Sequence, residues 1–144
     1  MKLEDVPLSD IRETAMVRPA SEHPTELELR ILKILWQHSP LPVRDVRDAL
    51  AEQGRDLAHT SVITTLNTMV GKKYLKRTRQ GKSYLFSPRV DQQEVCGGML
   101  GDVLERVFDG SATAVMLALF DHAGFNPGEL RDLRKLIDRK MKEV

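Results

Sequence analysis

The chain has 144 residues, 41% apolar and 30% charged, a balance that supports a folded core and excludes an intrinsically disordered chain. Its net charge of +1 conceals an asymmetry: residues 57–90 hold seven Lys/Arg and no Asp/Glu, between two flanks that are each net acidic. No apolar run approaches the roughly 20 residues of a membrane helix, and the single cysteine, Cys96, excludes an intramolecular disulfide or a multi-cysteine metal cluster. Residues 1–13 are charged and lack an apolar segment. No secretory signal is therefore expected, and the chain reads as cytoplasmic with no direct membrane association.

Pro7, Pro19 and Pro24 interrupt residues 1–24, which show little periodicity and read as a flexible N-terminal extension. Thr25 has the chemistry of a helix N-cap, and Glu28, three residues on, completes a capping box. Leu27, Ile31, Leu32, Ile34 and Leu35 follow at helical spacing, and Trp36 closes the run as a core residue. Ser39-Pro40-Leu41-Pro42 stops this helix, because residues before proline avoid the α region. A second helix starts near Val43, turns Val46, Ala49 and Leu50 inward, and ends with Gly54 at C′.

A third helix is expected from His59 or Thr60 to Lys72, capped by Thr60 or Ser61. Val62, Leu66, Met69 and Val70 share one arc of it. The opposite arc holds Thr60, Thr64, Asn67 and Gly71, with Ser61 and Thr68 beside it. A solvent face would carry Glu, Lys and Gln, which are better helix formers than threonine. A short-chained, uncharged face is instead suited to entering the DNA major groove. The period then changes to two. Tyr74–Arg79 is one strand, Gln80-Gly81 the turn, Lys82–Phe86 the return strand, and Pro88 its end. Lys72, Lys76, Arg77, Arg79 and Lys82 make this hairpin a candidate phosphate clamp, although a strand alternates its side chains and half of them can face away.

From Asp91 the chain is helical again, with Val95, Met99, Leu100, Val103, Leu104, Val107 and Phe108 on one stripe. Asp109-Gly110 breaks it. Ser111 caps a short apolar helix over Ala112–Phe120, a turn follows at Gly124 and Asn126-Pro127, and a last helix runs from Gly128 to Val144. Its Leu130, Leu133, Ile137, Met141 and Val144 form a narrow seam suited to a helix partner. These helices read as a dimerisation domain, with Leu100, Val103, Val107, Met116, Leu119, Leu133, Ile137 and Met141 at its shared core.

Helix, helix, threonine-rich helix and basic hairpin, in that order, is a mainly α winged helix-turn-helix, here followed by a helical dimerisation domain. The expected organisation is residues 1–24 as extension, 25–90 as DNA-binding domain and 91–144 as dimerisation domain. The candidate DNA-binding residues are His59, Thr60, Ser61, Thr64, Asn67, Thr68, Lys72, Arg77, Arg79 and Lys82. Asn67 has the groups for a bidentate contact with adenine. No acid–base pair, nucleophile or phosphate loop is found, so no enzyme and no cofactor are expected. His23, His38 and His122 share no ligand spacing and read as structural or solvated. Cys96 reads as a buried apolar filler. The competing reading is a winged helix used for protein–protein interaction; the acid-free basic block argues for DNA.

The runs Thr25-Glu26-Leu27-Glu28 through Trp36, Leu41-Pro42-Val43-Arg44-Asp45-Val46, His59-Thr60-Ser61-Val62-Ile63-Thr64-Thr65-Leu66 and Gly81-Lys82-Ser83-Tyr84 resemble the penicillinase-repressor family. Phe108-Asp109-Gly110-Ser111 and Leu130-Arg131-Asp132-Leu133 resemble its dimerisation domain. The resemblance covers residues 25–144. It implies a homodimeric repressor on a palindromic double-stranded DNA operator, released by an inducing signal, with a membrane sensor protease as the family's inducing partner. The Asn-Phe bond cleaved in family members is absent from residues 91–144, and Cys96 alone cannot supply the cysteine-rich metal motif of the copper-responsive members. The family's glycine near the end of the third helix aligns with Lys73. Either Lys73 takes a left-handed conformation at a cost of about 1 kcal/mol, or the helix ends differently.

Overall fold

The computed structural model describes residues 23–144, so the expected extension lies almost wholly outside the described residues. The elements in order are α1 (Glu26–Gln37), β1 (Leu41–Pro42), α2 (Val43–Glu52), α3 (His59–Gly71), β2 (Leu75–Gln80), β3 (Ser83–Pro88), α4 (Gln92–Phe108), α5 (Ala112–His122) and α6 (Pro127–Glu143). The chain divides into two compact units, one ending at Met99 and the other spanning Leu100–Val144.

The first unit is a winged helix. The Thr25 hydroxyl accepts from the Glu28 N–H at 3.2 Å, and the Glu28 carboxylate accepts from the Thr25 N–H at 2.9 Å, so the predicted capping box sets the start of α1. Ile31, Leu32 and Leu35 of α1 meet Val46 and Leu50 of α2, Val62, Leu66 and Met69 of α3, and Leu75 and Phe86 of the sheet in one buried core. Trp36 packs against that core, and its indole N–H donates to the Val90 carbonyl at 2.8 Å, as a partly buried indole requires. His38 is the C-cap residue of α1. Gly54 follows α2 with a φ of 84°, the left-handed C′ conformation expected of it.

Three local expectations are corrected. The third helix is not capped by Thr60 or Ser61; it begins at His59, and its N-cap, Ala58, makes no side-chain bond. Arg47 Nε instead donates to the Leu57 carbonyl at 3.0 Å, fastening the entering chain to α2. The sheet has three strands, not two. Leu41 pairs with Phe86 and Pro42 with Leu85, and Pro42 is tolerated because β1 is an edge strand. The hairpin loop lies one residue later than expected: Gln80 pairs with Ser83, which leaves Gly81-Lys82 as the two-residue loop and takes Lys82 out of the strand. Gly81, with a φ of 61°, holds the first loop position, where a side chain would be strained.

The end of α3 settles the open alternative at Lys73. Its φ is 68°. The Tyr74 N–H donates to the Met69 carbonyl and the Lys73 N–H to the Val70 carbonyl, at 2.9 and 3.0 Å. This is the paired hydrogen bonding of a Schellman cap, with lysine where glycine is usual.

The three helices after the wing, the first of which begins before Leu100, are organised differently. None of α4, α5 and α6 contains a buried residue. Ser111 caps α5 through the Ala114 N–H. Asn126, expected in a turn, is the N-cap of α6 in a second capping box with Glu129, and Pro127 is its first helical residue, where its missing N–H has no helical acceptor to lose. The Phe120 and Phe125 rings stack tilted, with centroids 5.3 Å apart. Met116, Leu133, Leu136, Ile137, Met141 and Val144 line an open apolar cavity of about 400 Å³. Cys96 is exposed, which corrects its reading as a buried filler. It lies one residue off the half-buried Val95–Met99 edge of α4 and, at 4-3-4 spacing, heads the exposed row Leu100, Val103 and Val107. The single apolar stripe expected on α4 therefore splits into a half-buried edge and an exposed one.

Candidate nucleic-acid interface

The face of α3 opposite the core is exposed at His59, Thr60, Ser61, Thr64, Asn67 and Thr68. The threonines lie along it in a chain of internal bonds. Thr64 Oγ1 donates to the Thr60 carbonyl at 2.8 Å, Thr65 Oγ1 to the Ser61 carbonyl at 2.9 Å, and Thr68 Oγ1 to the Thr64 carbonyl at 2.9 Å. Each such hydroxyl proton is used inside the helix. What Thr64 and Thr68 offer outward is a methyl group and oxygen lone pairs, a surface suited to thymine methyls and base amino groups.

Strand register sorts the wing cations. Arg77 pairs with Phe86 and Arg79 with Tyr84, and directly opposed residues share a face of the sheet. That face is the one that buries Leu75 and Phe86, so Arg77 and Arg79 lie on the α3 side and Lys76 on the other. Arg77 Nη1 donates to Asn67 Oδ1 at 2.8 Å, and its guanidinium carbon stands 4.7 Å over the Tyr84 ring, a cation–π contact. Arg79 Nε donates to the Gly81 carbonyl at 3.1 Å, which holds the guanidinium at the wing tip beside Lys82. Between the wing and α3 runs a groove of about 600 Å³, lined among others by Arg44, His59, Ile63, Asn67, Lys82 and Tyr84.

Lys72 lies elsewhere. Its ammonium is 2.9 Å from Glu28 Oε2, and Glu28 is only 3% exposed. A buried carboxylate needs a counter-charge, and this one sits 44 residues away in the chain. The pair ties the end of α3 to the start of α1. Tyr74 lies beside it, with its hydroxyl oxygen buried and without a hydrogen-bond partner. Burial, and then the Glu28 charge, push its phenol above the ordinary value of 10.0.

Arg44, Ile63 and Tyr84 are among the groove residues that sequence reasoning missed, as is one acid, Asp45. Arg44 is exposed in the first turn of α2, Ile63 is half-buried on the flank of α3, and Tyr84 is one of the few large apolar side chains exposed in this unit. Arg44, Ile63 and Tyr84 all lie in the family-like runs, but nothing in the spacing of Arg44 and Tyr84 marks them as neighbours of α3. The dimerisation candidates all belong to α4, α5 and α6. Leu100, Val103, Val107, Leu119, Ile137 and Met141 are exposed, and Met116 and Leu133 half-buried.

Three helices around one core, a polar third helix and an antiparallel wing on its flank define the winged helix-turn-helix class of DNA-binding proteins. A family model described as penicillinase repressor matches residues 24–139. The chain belongs to the penicillinase repressor family, a family of transcriptional repressors with a DNA-binding winged helix. Similar proteins include the transcriptional regulator BlaI of Mycobacterium tuberculosis, 30% identical over 101 residues that cover 69% of this chain and 72% of that one. The penicillinase repressor of Bacillus licheniformis is 19% identical over 114 residues, covering 79% and 88%. Among solved structures, the DNA-binding domain of the repressor BlaI aligns with 51% of this chain and 88% of its own at 20% identity and a TM-score of 0.45. Bacillus licheniformis BlaI, as a monomer in complex with the blaP half-operator, aligns with 49% and 84% at 21% identity and a TM-score of 0.42.

Proposed function

We propose that this chain is a cytoplasmic homodimeric repressor that lays α3 into the major groove of a palindromic operator. The observation that carries the reading is the pairing of a short-chained, acid-free α3 face with the wing cations beside it. His59, Thr60, Ser61, Thr64, Asn67 and Thr68 meet base edges and the adjoining backbone. Arg79 and Lys82 at the wing tip, with Arg44 at the start of α2, take phosphates. Lys72 and Arg77 are committed to protein partners and serve position rather than charge.

The exposed apolar rows of α4, α5 and α6 support pairing of two chains, with residues 91–144 as the dimerisation domain. Release follows an inducing signal. If a membrane sensor protease delivers it by cleavage in that domain, it acts at a bond other than Asn-Phe, since residues 91–144 contain none. Selection of bound sites from a random DNA pool tests the whole reading. Two inverted half-sites about one helical turn apart are expected, and failure to enrich any sequence overturns it.

A further inference from the structure

Arginine carries only donors, so the Asn67 atom 2.8 Å from Arg77 Nη1 is the amide oxygen. The Asn67 NH2 is then turned away from the wing. Arg77 is exposed, but its guanidinium is also seated over Tyr84, a second contact that favours the same rotamer. A bidentate contact between asparagine and adenine needs both amide groups: the oxygen accepts from N6 and the nitrogen donates to N7. The oxygen keeps a second lone pair, but it is aimed at the wing beside the guanidinium, so an adenine amino group reaching it would bring a further donor up against that cation. Guanine presents two neighbouring acceptors, N7 and O6, and no donor on that edge.

We propose that Arg77 is a specificity-positioning residue: it holds the Asn67 amide so that only the NH2 faces the groove, which makes Asn67 a reader of guanine rather than adenine. This replaces both sequence-based expectations, Arg77 as a phosphate clamp and Asn67 as an adenine reader. It rests on α3 being the groove helix.

The test is selection from a random DNA pool with the full chain, run on the unaltered protein, Asn67→Ala and Arg77→Met. Methionine keeps length and apolar contact but donates nothing. Asn67→Ala identifies the base pair that Asn67 reads, as the position whose preference it flattens. That pair is expected to be G·C in the unaltered protein; an A·T pair overturns the proposal. Arg77→Met releases the amide and is expected to raise the A·T to G·C ratio at that pair about tenfold, within the range of one good base contact. An unchanged ratio overturns the proposal.

The dependence of binding on salt gives a readout that a phosphate clamp would move. Arg77→Met is expected to leave the slope of log K against log salt unaltered. A slope shallower by about 0.9 for each subunit would make Arg77 a phosphate contact instead. Should Arg77→Met enrich no site, the identity of the pair in the unaltered protein decides alone. If Asn67→Ala flattens no position while the unaltered protein still enriches a site, α3 is not the reading element, and the proposal falls with that reading. If one position flattens but Arg77→Met leaves it alone, only the role of Arg77 falls.

Discussion

The two units spend their apolar residues in opposite ways. In the winged helix, Ile31, Leu32, Leu35, Val46, Leu50, Val62, Leu66, Met69 and Leu75 are all fully enclosed. In α4 to α6 nothing is buried, and Leu100 at 59%, Val107 at 64% and Met141 at 71% stand open. Single soluble chains rarely leave contiguous apolar surface of this kind uncovered. The first unit solves its packing within one chain. The second has amphipathic helices whose apolar rows its own chain leaves open, and on the proposed reading its stability becomes a question about association.

That contrast breaks most sharply on truncation. A chain ending at Asp91, which keeps the Val90 carbonyl that accepts from Trp36, should stay folded, be monomeric, and bind a full operator about 10²- to 10⁴-fold more weakly, the usual loss when two linked sites become one. Sedimentation and gel-shift titration read both; a dimer persisting at micromolar concentration would reverse the comparison.

Single core substitutions separate the units next. Leu66→Ala should cost about 2–5 kcal/mol of stability, the range for an enclosed leucine, at any protein concentration. Ile137→Ala should lower the melting temperature only in a concentration-dependent way, because it weakens association. Concentration-independent melting of Ile137→Ala would show that the second unit folds alone.

The wing sharpens the comparison from the charge side. If Arg44, Arg79 and Lys82 each take one phosphate per subunit, as proposed, the dimer slope of log K against log salt should be about −5. Arg79→Ala should reduce that slope by about 0.9 per subunit on cognate and random DNA alike. A loss confined to cognate DNA would place Arg79 on a base.

Two smaller effects belong to the join between α3 and the sheet. Lys73→Gly should stabilise the winged helix by about 0.5–1 kcal/mol, since it removes left-handed strain from a side-chain-bearing residue. An urea midpoint that does not rise would refute the strain. Tyr74→Phe removes a buried hydroxyl without a partner and should stabilise by about 1 kcal/mol. Because the folded phenol is pushed above 10.0, its neutral form contributes stability that is present below that pH and lost as pH rises through the folded value. The alkaline decline of the unaltered protein should therefore be steeper above pH 10 than that of Tyr74→Phe, which denaturation across that range measures.

Much of this architecture is legible in local chemistry. The Thr25–Glu28 capping box, the stop at Ser39–Pro42, the polar face of α3 and the left-handed Gly81 are decided by neighbours a few residues apart, where spacing alone carries the physics. Helix α1 does stop before these prolines, but a strand is hidden among them. Leu41-Pro42 served as a helix stop, while its pairing with β3 depends on a strand more than 40 residues later.

The pattern of periodicities and the acid-free block at residues 57–90 were enough to determine a winged helix with a basic wing, because helix stripes and charge clusters are properties of contiguous chain. Tertiary structure alone decided what each polar side chain is for. Lys72 and Arg77 look alike in sequence, two cations of one basic run. The fold gives the first to a buried Glu28 and sets the second on Asn67 and Tyr84. A cation's role is set by the partner it meets in space, and hydrogen-bond partners 10 and 44 residues away, Asn67 and Glu28, leave no mark in local spacing.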